Sequence, residues 1–245
     1  MKNNYLITSL ILCVFVLLSS TQTLSQTASK VDHKAWDVLL KKHVDKNGLV
    51  AYKEFLNDQD QLTSYLNHLS TNVPDDSWSQ KKQLAYYINL YNAATIDLIL
   101  KNYPVKSIKE IKNPWKTSNI KMGEKYYSLG DIEHKILREM KEPRIHFAIN
   151  CASYSCPKLL NEAFIASKME EQLERVTLEF INSDKNDISP ENPRLSKIFK
   201  WYKKDFIVKG EQGLIAYINK YSNIKIDVNT KVEFMDYDWN LNEME

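Results

Sequence analysis

LAYYINLYNAATIDLIL, residues 84–100, is the stretch of sequence that decides the fold. It is apolar almost all round when drawn as a helix, and a helix of that kind is buried inside a protein. Upstream, Ser77-Trp78-Ser79-Gln80 fits a capping box, and downstream the chain reaches Tyr103-Pro104. We therefore predict a central buried helix that begins at Ser77 and stops before Tyr103-Pro104.

Shorter elements precede and follow this helix. A capped helix is expected at Ser128, with Asp131 three residues later. The remaining patterns predict helices near residues 31–43, 58–69, 166–182 and 211–221, a hairpin around Met122-Gly123-Glu124, and strands near Ile224 and Val232. The fold class predicted is α+β, a single domain with a small, mostly antiparallel sheet.

Composition excludes several classes of function. The 245 residues carry 33 Lys+Arg and 31 Asp+Glu, a net charge of only +2, which gives no signal for a nucleic-acid partner. The five glycines form no dinucleotide fingerprint, phosphate loop or serine-hydrolase elbow. Lys200–Phe206 contains both basic and aromatic residues. Such a segment could stack on nucleic acid or sugar. We favour the alternative, in which its aromatic residues pack inside the protein as a stripe.

The first 25 residues have the layout of a secretory signal peptide. Lys2 precedes an apolar run, Leu6–Leu18, which is shorter than the ~20 apolar residues of a spanning helix. Thr23 and Ser25 are small residues that fit cleavage after Ser25. We expect a secreted or periplasmic protein with one domain, residues 26–245, and no membrane span after cleavage.

The strongest chemical signal lies at residues 144–157. RIHFAIN, residues 144–150, predicts a strand that leaves Cys151 at its carboxyl end. The following loop, Cys151-Ala-Ser-Tyr-Ser-Cys-Pro157, has small side chains, and a helix starting at Pro157 would favour a thiolate. Cys151 is the predicted nucleophile.

Two histidines and one carboxylate are candidates to assist it. A straight strand would separate the Cα atoms of His146 and Cys151 by roughly 16 Å, which makes His146 a secondary candidate. On the helix that starts near Ser128, the helical wheel places His134 off the apolar face and Glu133 close to it. We interpret His134 as the base and Glu133 as a buried structural carboxylate or acid, with a solvated position the competing interpretation for His134.

Two amides, Asn89 and Asn92, lie three residues apart on the central helix. A buried amide must find partners for its donors and its acceptor. They could orient a histidine or donate to an oxyanion. The simpler interpretation, which we favour, is that they clamp a neighbouring loop.

Five segments of the sequence carry a resemblance to a known family: Tyr86–Ala93, Leu129–His134, Arg144–Pro157, Leu195–Tyr202 and Tyr237–Asn242. They resemble the domain of unknown function family DUF547, which has no established reaction. The resemblance implies that Asn89, Asn92, His134 and Cys151 lie in family motifs, and it favours Cys151 over Cys156, which plant relatives replace.

The leading hypothesis is thiol-dependent hydrolysis or transfer at an acyl or amide bond of a small-molecule or peptide substrate, without a cofactor. Cys151 attacks, His134 takes its proton, Asn89 or Asn92 orients the imidazole, and loop amides after Cys151 stabilise the oxyanion. A remote papain-like arrangement is an analogy at the level of fold only.

Two alternatives use the same residues, and a third concerns a different stretch of the chain. In a non-catalytic envelope binding module, Cys151 and Cys156 would form a disulfide. In a zinc protein, the ligands would be His134, His146, Cys151 and Cys156, although their spacing matches no standard finger. Residues 43–54 resemble a degenerate EF-hand loop, which we interpret as a β-turn at Asn47-Gly48.

Overall fold

The structure is a computed structural model, and it describes residues 31–207 and 213–245. The predicted signal peptide, residues 1–25, lies outside the described residues, as does the start of the helix predicted near 211. From Val31 onward the chain forms one compact unit.

The first half of this unit is helical. Its helices are α1 (Lys34–His43), α2 (Tyr52–Phe55), α3 (Gln59–Thr71) and α4 (Gln80–Asn102). Helix α4 is the predicted central helix: fifteen of its side chains are buried, and α3 packs against it. The decisive stretch of sequence therefore does form the core.

The predicted start of α4 is wrong by a few residues. The N-cap is Ser79, whose side chain accepts from the main-chain N–H of Lys82. The Ser77 hydroxyl donates instead to Asp75 at 2.5 Å, which holds Ser77 in the preceding turn. The end is as predicted, because the helix stops at Asn102, before Tyr103-Pro104.

The strands form two small sheets. Strand β1 (Ile120–Met122) pairs antiparallel with β2 (Lys125–Tyr127), which confirms the predicted hairpin. Strand β3 (Arg194–Leu195) pairs in parallel with β4 (Glu233–Phe234), close to the strand predicted near Val232. No strand forms at Ile224, which lies in an exposed turn. The predicted α+β class is confirmed, with two separate sheets, one of them parallel.

The second half of the chain contains shorter helices. Ser128 and Asp131 cap each other reciprocally at the start of α5, as predicted. Helix α5 (Leu129–Asp131) continues as a π-helical segment, Ile132–Leu137, and ends in one 3₁₀ turn, Arg138–Met140. The later helices are α6 (Met169–Ile181), α7 (Lys197–Trp201) and α8 (Leu214–Tyr221).

The strand predicted at residues 144–150 is wrong, because Pro143–Phe147 is a 3₁₀ helix. Pro143 occupies its first turn, and the Glu142 side chain caps it by accepting from the N–H of Arg144. Residues 145–147 are all buried, so alternate residues do not face opposite environments. The straight-strand separation of His146 from Cys151 therefore does not apply.

The helix predicted to begin at Pro157 is also absent, since residues 157–165 have no regular secondary structure. Side chains satisfy the backbone there instead. Asn150 donates to the carbonyl of Pro157 at 2.8 Å, and Asn89 pairs with the main chain of Phe164. Cys151 thus gains no help from a helix N-terminus. Among the described residues, no helix has the length and apolar character needed to cross a membrane.

Candidate active site

A cavity of about 350 Å³ opens beside Cys151 and collects residues from distant parts of the chain. Besides Cys151 and Cys156, its lining includes Glu133, His134 and His146. All of the predicted site residues except the two asparagines therefore meet at one place. The aromatic residues of its lining are Tyr91, Trp115, Trp201, Tyr202, Tyr237 and Trp239.

Three groups that carry an O–H or S–H surround the Cys151 thiol. Its Sγ lies 3.0 Å from Ser153 Oγ, 3.1 Å from Cys156 Sγ and 3.4 Å from Tyr237 Oη. The hydroxyls of Ser153 and Tyr237 also contact each other at 3.0 Å. No hydrogen bond joins Cys151 to His134 among the described residues, so the direct thiol–imidazole pair is not formed in the structure.

These contacts shift the pKa values of the two thiols in opposite directions. Hydrogen bonds from Cys156, Ser153 and Tyr237 lower the pKa of Cys151 below its ordinary value, while burial and the nearby Glu133 oppose the shift. Burial raises the pKa of both Cys156 and Tyr237, so these two groups remain protonated and able to donate. Cys151 is therefore the sulfur that ionises first.

Both cysteines are free thiols, and only Cys151 is partly exposed. Their 3.1 Å separation exceeds the about 2.05 Å of a disulfide bond. A contact this short nevertheless lies within reach of oxidation. Cys151 can therefore act as a nucleophile only while both thiols are reduced.

The backbone directly after Cys151 is strained. Ala152 has φ +59°, a left-handed conformation that costs a residue with a Cβ about 1 kcal/mol or more. Two hydrogen bonds hold it there: Ala152 N–H donates to Asn150 Oδ1 at 2.7 Å, and Asn242 N–H donates to the Ala152 carbonyl at 3.3 Å. Backbone strain of this kind clusters at functional sites, and here it fixes the direction of Cys151.

Five main-chain N–H groups of this loop are already engaged. The C-terminal segment, residues 237–242, pairs with the loop and takes up two of them. The expectation that loop amides stabilise an oxyanion therefore does not hold for the engaged groups. Their acceptors are Cys156 Sγ for Cys151, Asn150 Oδ1 for Ala152, the Asn240 carbonyl for Tyr154, the Asp238 carbonyl for Ser155 and the Ser153 carbonyl for Cys156.

Glu133 and His134 lie in the π-helical segment, a geometry that is frequent at functional sites. As predicted, Glu133 is buried and His134 is half exposed. Glu133 accepts from the hydroxyls of Tyr91, at 3.3 Å, and Tyr202. His134 Nδ1 lies 3.7 Å from Glu133 Oε1 and 3.4 Å from the Arg138 guanidinium. Its Nε2 has no hydrogen-bond partner within residues 31–207 and 213–245, which leaves it available to a ligand.

His146 belongs to a closed network. Its Nε2 lies 2.8 Å from Asp205, which also receives two hydrogen bonds from Arg138, and its ring stacks on Tyr202 at 4.0 Å. Although burial opposes it, these hydrogen bonds hold the pKa of Asp205 below its usual range. His146 is therefore fixed in the wall by a salt-bridged partner.

Asn89 and Asn92 clamp loops rather than a histidine. Asn89 donates to the Phe164 carbonyl at 2.8 Å and accepts from its N–H at 3.0 Å. Asn92 likewise donates to the Ala148 carbonyl at 3.0 Å and accepts from the Asn150 N–H at 2.8 Å. This geometry matches the simpler interpretation of the two amides. Asn92 supports Cys151 through the backbone, one residue away.

The possible metal sites are not assembled. Among the described residues, no three His, Cys, Asp or Glu side chains are placed to hold one metal ion, so the four-ligand zinc alternative has no support. In the EF-hand-like stretch, Asp45 Oδ1 accepts from the N–H groups of Asn47 and Leu49, both at 2.8 Å. Gly48 has φ +82°, and the stretch is the predicted turn.

A second cavity, of about 430 Å³, lies against Cys156 and Pro157 but is not lined by Cys151, His134 or Glu133. Two of its lysines already have partners: Lys158 pairs with Glu179 at 2.8 Å, and Lys185 lies 3.7 Å over the Tyr154 ring. We therefore place the chemistry in the first cavity, beside the ionisable thiol.

Sequence reasoning missed four residues that shape this site: Ser153, Trp201, Asp205 and Tyr237. Ser153 lies within the small-residue loop and was not separated from its neighbours. A signal existed for Trp201 and Tyr237, because both fall in segments that resemble the family. Asp205 showed no distinguishing pattern, since its partners are 59 and 67 residues away.

The comparisons with known proteins agree with the resemblance. Residues 76–181 match the family described as "Protein of unknown function, DUF547", and this match spans less than half of the chain. The comparison with curated proteins gave no match, and neither did the comparison with solved structures, so the papain-like arrangement stays a prediction. The part of the chain that contains α4, the π-helical segment and the Cys151 loop thus resembles the DUF547 family.

Proposed function

We propose that this protein is a thiol-dependent hydrolase or transferase that acts on an acyl or amide bond, with Cys151 as the nucleophile. One observation carries the proposal: Cys151 is a partly exposed thiol, contacted by three donors, in the wall of a cavity that His134 also lines. The cavity is the size of a site for a small molecule or a peptide side chain.

The local donors make the thiolate without a neighbouring base. Cysteine reacts as the thiolate, and a pKa lowered by hydrogen bonds raises the fraction in that form near neutral pH. The proton leaves to solvent through the exposed side of Cys151. This differs from the arrangement expected from the sequence, in which His134 removes that proton.

In the first step the thiolate attacks the carbonyl carbon, and a C–S bond forms while the carbonyl oxygen becomes negative. Hydroxyl groups take the place of the loop amides as donors to this oxygen. Tyr237 and Ser153 lie beside the reacting sulfur, and the raised pKa of Tyr237 keeps its hydroxyl protonated.

His134 acts on the leaving group. The protonated imidazole gives its proton to the departing amine or alcohol as the C–N or C–O bond breaks, leaving a thioester on Cys151. Water, or an acceptor in a transferase, then attacks the thioester and passes a proton to His134, which releases the product and restores the thiolate. Glu133, 3.7 Å from Nδ1, stabilises the imidazolium, and the Arg138 guanidinium at 3.4 Å from the same atom opposes it.

We also propose that the protein is exported, because residues 1–25 have the layout of a signal peptide. Sequencing the N-terminus of protein recovered from outside the cytoplasm tests this. A mature chain that begins at Gln26 supports export, and a chain that retains residues 1–25 contradicts cleavage.

Intact-mass analysis with 4-nitrophenyl acetate tests the chemistry. We expect one acetyl group on Cys151 of the reduced protein, released over time, and no acetylation of Cys151→Ala. In His134→Ala the acetyl group forms but persists, because the water attack lacks its base. His68→Ala, a change on α3 outside the cavity, is the matched control and should behave as the parent protein.

Alkylation with iodoacetamide before and after reduction separates this proposal from the binding module. Rapid labelling of Cys151 in protein isolated without reductant supports a free nucleophile. A protein that takes up label only after reduction contradicts it and supports a bridged, non-catalytic domain.

A further inference from the structure

The wall facing Cys151 is a cluster of aromatic rings in tilted and edge-to-face contact. Trp201, from the end of α7, lies 4.8 Å from the Tyr237 ring and 5.7 Å from the Trp239 ring, centre to centre. Tyr237 and Trp239 are themselves 4.6 Å apart, and Trp115 extends the cluster at 5.9 Å from Trp239. Tyr237 joins this wall to the reacting sulfur, because its hydroxyl contacts Cys151.

Part of this wall is open to solvent. Trp201 is 45% exposed, although it is among the largest apolar side chains in the protein. A partly exposed group of large aromatic side chains beside a reactive residue is typical of a binding surface. The exposed Trp201 ring offers a flat apolar face, and a second flat ring is the ligand that such a face contacts most extensively.

Apart from His134, the polar groups of the cavity favour an apolar ligand over a sugar. Sugar hydroxyls need side chains with free donors and acceptors, but Glu133 already accepts from two tyrosines. His146 is held by Asp205, and Tyr237 already contacts Ser153. A ring with several hydroxyls would bury groups without partners, which is costly.

We infer that the cavity selects substrates with a planar apolar ring next to the reacting carbonyl, and that Trp201 is the residue that determines this preference. The ring stacks on the aromatic wall while the carbonyl faces Cys151. The inference rests on the proposed function and names the substrate class of the same site.

Alkylation rates measured with three chloroacetamides test this inference. The probes are 2-chloroacetamide, N-benzyl-2-chloroacetamide and N-chloroacetylglucosamine, and each rate at Cys151 is divided by the rate with free N-acetylcysteine. We expect the benzyl probe to react on the order of tenfold faster than 2-chloroacetamide, the gain of one or two stacking contacts. The glucosamine probe should gain nothing.

Variants of Trp201 test whether this residue causes the faster reaction with the benzyl probe. In Trp201→Ala the benzyl advantage should fall to about twofold or less, and Trp201→Phe should retain part of it. Tyr126→Ala, a change of an exposed aromatic residue on β2 outside the cavity, should leave the advantage unchanged. Circular dichroism of each variant checks that the fold is intact.

Each other outcome overturns a defined claim. Equal rates for the benzyl and parent probes, or a preference for the glucosamine probe, would overturn the substrate class while leaving the nucleophile in place. An advantage that survives Trp201→Ala would overturn the role of Trp201. Failure of all three probes to label Cys151 would overturn the proposed function itself.

Discussion

Two corners of the same cavity are both formed by polar groups but differ in how those groups are satisfied. At the His146 corner, His146, Asp205 and Arg138 bind one another in a closed network. At the Cys151 corner, by contrast, the neighbouring hydroxyl and thiol groups all contact a partly exposed thiol that can ionise. The difference teaches that mutual pairing makes polar groups structural, whereas donors gathered around one open group prepare it for chemistry.

The largest effect is expected from Cys151→Ser, which removes the ionisable atom. Acetylation by 4-nitrophenyl acetate should fall by at least about 10⁴-fold, as when a nucleophile is removed from a catalytic site. The melting temperature should change little, because Ser is smaller and retains a donor. Cys156→Ser is the control, and it should remain reactive at Cys151. Comparable acetylation of both variants would contradict the claim that the Cys151 corner is the one prepared for chemistry.

The second-largest effect is expected on the free energy of unfolding. Asp205→Ala leaves buried His146 without its partner, so we expect the free energy of unfolding to fall by about 2–3 kcal/mol. Asp236→Ala, which removes an exposed carboxylate paired with Lys197, should cost less than about 0.5 kcal/mol. Urea unfolding measures both. An Asp205→Ala protein as stable as its parent would show that the His146 corner is not structural.

The same carboxylate gives a pH dependence with a definite sign. The pKa of Asp205 in the folded protein lies below the unfolded value of about 3.9. Its stabilisation is therefore complete above about pH 5 and decreases as the pH falls through 4 toward the folded pKa. The difference in unfolding free energy between the parent and Asp205→Ala should shrink in acid. A difference that grows in acid would contradict the assignment.

Asn92→Ala should have a somewhat smaller effect on stability, about 2 kcal/mol, because two buried backbone groups lose their partner. It should also slow alkylation of Cys151, since Asn92 holds the N–H of Asn150 directly before it. Asn89→Ala is the matched comparison: it should cost similar stability without changing the alkylation rate. Equal alkylation rates in the two variants would remove Asn92 from the site.

The smallest effect separates the donors of the thiol. Ser153→Ala and Tyr237→Phe each remove one hydroxyl, so each should raise the midpoint of the pH profile for alkylation by about one unit. Tyr202→Phe, which removes a hydroxyl bound to Glu133 instead, should leave the midpoint nearly unchanged. A midpoint that moves only in Tyr202→Phe would place the controlling donor elsewhere.

The parts of the fold that could be predicted are those with a local cause. The all-apolar surface of α4 required burial, and Ser128 with Asp131 set the start of α5 within four residues. The off-core position of His134 followed from helical geometry alone. Each of these depends on neighbours along the chain.

The errors arose where hydrogen bonds from side chains to the backbone decide the conformation. Residues 145–147 contain β-branched and aromatic side chains, but Pro143 and the cap from Glu142 wind them into a 3₁₀ helix that is buried on all sides. The missing helix after Pro157 has a similar cause, because Asn150 and Asn89 bind the backbone there. Side-chain clamps of this kind leave no periodic pattern in the sequence.

Most residues of the candidate site were predicted, but the hydrogen bonds between them were not. Cys151, His134, Glu133 and His146 do line one cavity, but the donors to the thiol were not foreseen. Tyr237 lies 86 residues from Cys151, and only folding of the C-terminal segment against the loop brings them together. In the proposed function, local hydroxyl and thiol donors rather than the histidine therefore ionise the thiol.

The pH dependence of iodoacetamide alkylation at Cys151 tests this claim most directly. The rate constant is measured by peptide mass analysis of the reduced protein, folded and unfolded in urea. The account predicts a midpoint clearly lower in the folded protein than in the unfolded chain, and the same low midpoint in His134→Ala. A folded midpoint at or above the unfolded one, or one that rises only when His134 is removed, would contradict it.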